Sequence, residues 1–183
     1  MACLCVFAGA ASGKSDAYVK EAYELASSLS VAGHHFIYGG GSTGLMGAFA
    51  DGVIDQGGHI EGVIPEFLSD REVAHQSVAK MTITQTMHER KQAMYQPADG
   101  FLVLPGGLGT LDETMEVLTW RQLSKLSGPV FVYSPRGYWD PMKELVSHIE
   151  EEGFAHSDGL GLIYWRSDIT GILADCNSHF TTG

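Results

Sequence analysis

Two short stretches carry residue types and spacing suited to chemistry. The first is "VLPGGLGTLDE", Val103–Glu113. An apolar run ends at Pro105, Gly106, Gly107 and Gly109 follow, and Thr110 stands where a helix would begin. Glycines let the backbone approach a ligand closely. Thr110 offers an amide and a hydroxyl at a helix N-terminus, where partial positive charge collects and a phosphate fits. Asp112 and Glu113 come directly behind this anion site. Glu113 is set roughly 300° around the helix from Thr110, so it need not meet the phosphate and can face an adjoining sugar. Asp112 can equally serve as a partner of the helix dipole. The second stretch is "MHERK", Met87–Lys91, opening the helix before the strand "GFLVLP". Arg90 and Lys91 are opposed there by the helix dipole. They read either as a solvated charged face or as Arg90 directed into a cleft over the strand ends.

These residues need a scaffold, and the chain spells one out. Apolar strand candidates are Cys3–Ala8, His34–Tyr38, His59–Ile64, Met81–Thr84, Gly100–Leu104 and Pro129–Tyr133. Helical patterns run over Asp16–Ala32, Thr43–Gln56, Met87–Gln96 and Leu108–Leu126. Ser15 or Asp16 can cap the first helix, and Gly33 follows its end. Asp140-Pro141 is expected to cap a further helix to Glu152, with proline at the first helical position. Within "LIYWRSD" a short strand is expected, and Ile169–His179 reads as a short helix. Leu108, Leu111, Met115, Leu118 and Leu126 are expected to form the core face of their helix, with Glu113 off it. Strands separated by helices imply parallel pairing with right-handed crossovers, and uniformly apolar strands imply helices on both faces. The expected fold class is α/β, a Rossmann-like doubly wound parallel sheet in three α/β/α layers, forming one nucleotide-binding domain over residues 1–183. Ligands bind such sheets beyond the carboxyl ends of the strands. Three glycine-bearing turns fall there: "FAGAASGKS", "YGGGSTGLMG" and "LPGGLGTLDE".

The middle turn contains Gly39-x-Gly41-x-x-Gly44, formally a dinucleotide fingerprint, with Glu61 near the ribose-binding spacing. It occupies the second strand–helix unit, whereas that fingerprint normally occupies the first. Phosphate contact without NAD, or a tight turn alone, also fits. A Walker sequence is absent, since "SGKS" lacks the upstream glycine.

Composition narrows the partners. The chain has 183 residues, is 44% hydrophobic and carries a formal charge of −11, so no basic surface is available for duplex nucleic acid. No apolar run is long enough to span a membrane. The apolar start "MACLCVFAGA" lacks the basic residues of a signal peptide and reads as a buried strand. Three cysteines without a pairing framework indicate reduced thiols and a cytoplasmic setting. Cys3 and Cys5 share one strand face, as core residues do. The eight histidines show no metal-binding spacing, and no metal or cofactor is expected.

Together "YGGGSTGLMG", "GVIPEFL" with "REVAH", "MHERK", "PGGLGTLDE" and "EVLTWRQL" resemble the Lonely Guy (LOG) family of cytokinin-activating phosphoribohydrolases, from about Cys5 to Phe154. Members are often labelled lysine decarboxylases, but the sequence has no recognisable pyridoxal-phosphate lysine context. The resemblance implies a homodimer that hydrolyses the N-glycosidic bond of purine nucleoside 5′-monophosphates, cytokinin ribotides and AMP among them. It implies catalysis by Arg90 and Glu113. It implies substrate binding by Glu72, Arg90, Lys91, Gly107, Leu108, Gly109, Thr110, Leu111, Asp112, Glu113 and Thr119, with Gly40 and Gly41 lining the phosphate side. Family members commonly carry a Cys-Gly-Ser-Ser type first turn, where this chain has Ala8-Gly9-Ala10-Ala11-Ser12. That departure removes two side chains able to bond a ligand. It keeps open a nucleotide carrier without turnover, and a transferase working through a glycosyl-Glu113 intermediate is a further alternative.

Overall fold

The structure is a computed structural model and describes residues 1–69, 74–155 and 160–180. In chain order the elements are β1 (Cys3–Phe7), α1 (Asp16–Val31), β2 (His35–Tyr38), α2 (Gly44–Ile54), β3 (Ile60–Pro65), α3 (Glu66–Ser69), β4 (Lys80–Thr84), α4 (Met87–Tyr95), β5 (Gly100–Val103), α5 (Leu108–Gln122), β6 (Val130–Tyr133), α6 (Asp140–Glu151), β7 (Ile163–Arg166) and α7 (Ile169–Phe180). The strands form one sheet in the order β4-β3-β2-β1-β5-β6-β7, every pairing parallel. This is the expected doubly wound α/β architecture. Its direction of winding reverses beside β1, which pairs with β2 on one side and β5 on the other. That junction is the topological switch point where such sheets bind ligands.

Alternation along β1 shows how both faces fill. Leu4 and Val6 pack with α1, α2 and α7 through Leu25, Phe49 and Ile172. Cys5 and Phe7 pack with α4, α5 and α6 through Met94, Val117 and Met142. Cys5 is thus a core residue, as its strand position suggested, and burial pushes its thiol well above the ordinary range. Among the described residues no helix is long and apolar enough to cross a membrane.

Three local expectations change. The helix starting at Asp140 has Trp139 as its N-cap, with no side-chain cap bond, so Pro141 occupies the second helical position. Such one-residue shifts are normal at helix ends. α5 stops at Gln122 rather than Leu126, because Ser124 takes a left-handed conformation at φ 54°. The third change concerns how much of α5 is buried. Thr110, Glu113, Thr114, Val117 and Arg121 are its buried residues, alongside Leu118. Leu108 is 84% exposed, and Leu111 and Met115 are only partly buried. Leu118 is nonetheless buried, and Leu111, Met115 and Leu126 pack against the same core, so the expected face holds apart from Leu108, while Glu113 belongs to the buried surface rather than lying off it. Periodicity locates an apolar face; it does not say how far the buried surface extends beyond it.

Candidate active site

The glycine turn after β5 is held by its neighbours. Gly9 in the turn after β1 donates its amide to Pro105 O at 3.0 Å. Gly9 O in turn accepts the amides of Leu45 and Met46 at the start of α2, at 2.9 and 3.2 Å. The Tyr138 hydroxyl donates to Gly106 O at 2.5 Å, tying the region after β6 to the same turn. Gly106 is required sterically: a Cβ there would stand 2.1 Å from Thr110 Oγ1. Gly107 and Gly109 differ. A Cβ at either position would meet nothing within 4 Å, so nothing in the chain itself demands glycine there. Gly107 caps α5 in an extended conformation without a side-chain cap bond, leaving the first turn of the helix to other acceptors.

Arg90 comes from α4, whose start is fixed by a capping box between Thr86 and Glu89. Its side chain is 7% exposed and runs beneath the strand ends. Nε donates to Val63 O of β3 at 3.2 Å, and Nη2 donates to Gly39 O just beyond β2 at 3.2 Å. Nη1 lies 4.0 Å from Glu113 Oε1. Glu113 is itself 9% exposed. Burial first, and the Glu113 carboxylate second, raise both the Cys5 thiol and the Tyr95 phenol far above their ordinary pKa values.

Above Arg90 and Glu113 opens a cleft of about 510 Å³. Its rim combines the first turn from Ala8 to Gly13, the glycine turn from Pro105 to Thr110, and Tyr18, Leu45, Met46, Met87 and Tyr138. Tyr18 and Tyr138 meet edge to face at 5.7 Å, and Arg136 sits over the Tyr18 ring at 4.4 Å.

Of the residues singled out in the sequence, the cleft brings together Arg90, Gly107, Gly109, Thr110, Asp112 and Glu113. Lys91 lies alongside and is bound by Asp112 at 2.7 Å and Glu116 at 3.0 Å, so Asp112 has an ionic partner and is more than a dipole complement. Leu111 is half-buried, and Leu108 and Thr119 are exposed on the outer face of α5. The Thr119 hydroxyl donates to its own helix at Met115 O, 2.8 Å away. Gly40 and Gly41 lie over the β3–β4 side: a Cβ on Gly40 would meet Met81 and Ile64, and Gly41 bridges to Ala74. Glu72 lies outside the described residues. Tyr18 and Tyr138, which sequence reasoning did not single out, became visible only when folding brought α1 and the segment after β6 to the same rim.

The middle glycine turn does not act as a dinucleotide fingerprint. Gly39 makes room for Arg90: a Cβ there would fall 2.1 Å from Nη2. Gly44, at φ 59°, makes room for the backbone of Ala10 and Ala11 at 2.4–2.6 Å. Glu61 lies near the amino end of β3, opposite the cleft, where Lys80 at 2.7 Å and His59 at 3.1 Å engage it and lower its pKa. It is not placed to hold a cofactor ribose.

Fold and cleft thus define a Rossmann-like α/β protein with a glycine turn at a helix start above a buried arginine–carboxylate pair. A family model described as "Possible lysine decarboxylase" matches residues 46–176. The Arabidopsis thaliana protein named cytokinin riboside 5′-monophosphate phosphoribohydrolase LOG2 is 39% identical over 160 residues, 87% of this chain and 75% of its own length. The rice protein (Oryza sativa subsp. japonica) named cytokinin riboside 5′-monophosphate phosphoribohydrolase LOG is 41% identical over 87% of this chain and 66% of its own length. The chain belongs to this LOG family. Among solved structures, the molybdenum cofactor carrier protein from Chlamydomonas reinhardtii matches with a TM-score of 0.75 over 99% of each chain at 18% identity, a likeness of fold alone.

Proposed function

We propose that this chain, as one nucleotide-binding domain, hydrolyses the N-glycosidic bond of purine nucleoside 5′-monophosphates, cytokinin ribotides first and AMP as a further substrate. The observation that carries the reading is the pairing of two features in one cleft. Gly107 and Gly109 leave open space at the start of α5, and the Arg90–Glu113 pair lies immediately below. Phosphate binds the α5 amides and Thr110, and that remote contact positions the bond to be broken. The C1′–N bond then breaks with its electron pair leaving on the base, which takes up a proton. The positive charge developing on the ribose is met by the Glu113 carboxylate, held in place beside Arg90. Water adds at C1′ and loses a proton, giving ribose 5-phosphate and the free base.

Incubation with isopentenyladenosine 5′-monophosphate and with AMP, followed by chromatography, tests this. Release of base and ribose 5-phosphate is expected. Recovery of intact ligand after tight binding would identify a carrier instead, and exchange of labelled base into substrate would identify a transferase.

The chain is further proposed to act as a homodimer in the cytoplasm. Leu108 and Trp120 on α5 and Leu123 just beyond its end are exposed apolar groups that such an interface would cover. Thr119 lies on the outer face of α5, so contact with substrate would require the partner copy's cleft. Light scattering after gel filtration should give twice the chain mass; a monomeric mass would remove this part of the proposal.

A further inference from the structure

The second buried arginine has surroundings opposite to those of Arg90. Arg121, in the last turn of α5, is 8% exposed. Among the described residues its Nη1 is buried without a hydrogen-bond partner. The carbonyls at the end of α5 do not serve it. Those of Thr119, Trp120 and Arg121 accept the amides of Leu123, Lys125 and Ser124 at 3.1, 2.8 and 2.9 Å. Burial lowers its pKa and the Tyr164 phenol opposes that effect. A guanidinium cannot shed its proton in a protein, and a buried charge without a partner is costly. Among the described residues, Nη1 of Arg121 is left in that position.

Arg121 lines a hollow of about 380 Å³ between the end of α5 and the approach to β7. Lys125 lines it too, with Ser124, Ser127, Gly128 and Leu162, and among the described residues no acid does. In a chain of net charge −11, two cations gathered without an acid form a local exception. The hollow is remote from the cleft: Arg121 lies roughly 16 Å along α5 from Thr110.

We propose that this hollow is a second anion site, one that takes inorganic phosphate or the phosphomonoester group of a small metabolite. A planar guanidinium fork supplies directed bonds, Lys125 a mobile point charge, and the hydroxyls of Ser124 and Ser127 further donors, a set matched to a tetrahedral oxyanion. The volume falls within the range of small-molecule sites. The site is independent of the proposed hydrolysis, because none of its residues lines the cleft.

Titration of the ¹⁵N-labelled protein with inorganic phosphate, and separately with ribose 5-phosphate, at constant ionic strength tests it by NMR. The amides of Ser124, Ser127 and Gly128 report on the hollow, and those of Gly107 and Gly109 on the cleft. At least one of the two anions should shift the Ser124–Gly128 amides saturably, and the one saturating at lower concentration identifies the source. Arg121→Gln should weaken that response by about tenfold or more, the worth of a charge-assisted bond. Lys125→Gln, at an exposed position, should weaken it several-fold without risk to the fold, and neither change should alter the response of Gly107 and Gly109. Absence of a saturable shift at 124–128 with both anions overturns the proposal. So does an undiminished shift in the Lys125→Gln protein.

Discussion

Arg90 Nη1 stands 4.0 Å from Glu113 Oε1 while Nε and Nη2 of the same guanidinium donate to Val63 O and Gly39 O, each at 3.2 Å. The arginine is therefore fixed by the main chain of two strand ends, and the carboxylate is held against a charge that does not move with it. A group pre-positioned in this way costs little reorganisation when charge develops on a substrate.

Gly39→Ala tests that positioning. Its Cβ would fall 2.1 Å from Arg90 Nη2, the far end of a flexible side chain. The arginine should move and the fold should survive. The expected outcome is a kcat at least ~10-fold lower with a nearly unchanged melting temperature. Full activity would show that the placement of Arg90 is unimportant.

Gly44→Ala should do the reverse. The residue has φ 59°, and a Cβ would meet the main chain of Ala10 and Ala11, which cannot yield locally. A loss of about 1–3 kcal/mol from backbone strain alone is expected, with the clash adding to it. Denaturant unfolding measures this, and a wild-type midpoint would contradict the packing described.

Gly109→Ala separates stability from binding. The position is helical and a Cβ would meet nothing within 4 Å. Alanine should stabilise the helix by up to ~1 kcal/mol while obstructing the approach of phosphate. The expected pattern is a higher melting temperature with a raised KM for the nucleoside monophosphate. An unchanged KM would move the phosphate elsewhere.

The thiols give a pH prediction. Burial raises Cys3 to about 11 and Cys176 to about 12 from the ordinary 9.0. Groups with raised folded pKa values stabilise fully below the unfolded value, and that contribution is lost as pH climbs through the folded one. Stability should therefore fall from about pH 9 upward as the unfolded chain releases these protons. Native protein near pH 8 should also resist alkylation at Cys5 and Cys176, and denatured protein should not. Rapid labelling of both in the native state would contradict their burial.

β1, β2, β3, β5 and β6 were legible because each is a short apolar run with glycine or proline at or just beyond its end, and a sheet covered on both faces needs little else. The site was legible where one segment carries it, as in the turn from Gly106 to Glu113. It was less legible where the outcome depends on a surface that sequence does not contain. Leu111, Met115 and Leu118 read as core and pack there, yet Leu108 on the same stripe is exposed, and the buried surface extends to Thr110, Glu113, Thr114 and Val117. The spacing of Gly39, Gly41 and Gly44 resembled a cofactor turn, whereas two of these glycines admit Arg90 and the first turn. Tyr18 and Tyr138 lie far apart in the chain and share a rim only through the crossovers.

The most direct measurement is release of isopentenyladenine from isopentenyladenosine 5′-monophosphate by the wild-type protein and by Glu113→Gln, at saturating substrate. The expected result is base and ribose 5-phosphate in equal amounts from the wild type, and a kcat at least ~10²-fold lower in the variant. No release by the folded wild type, or an undiminished rate in Glu113→Gln, would contradict the account.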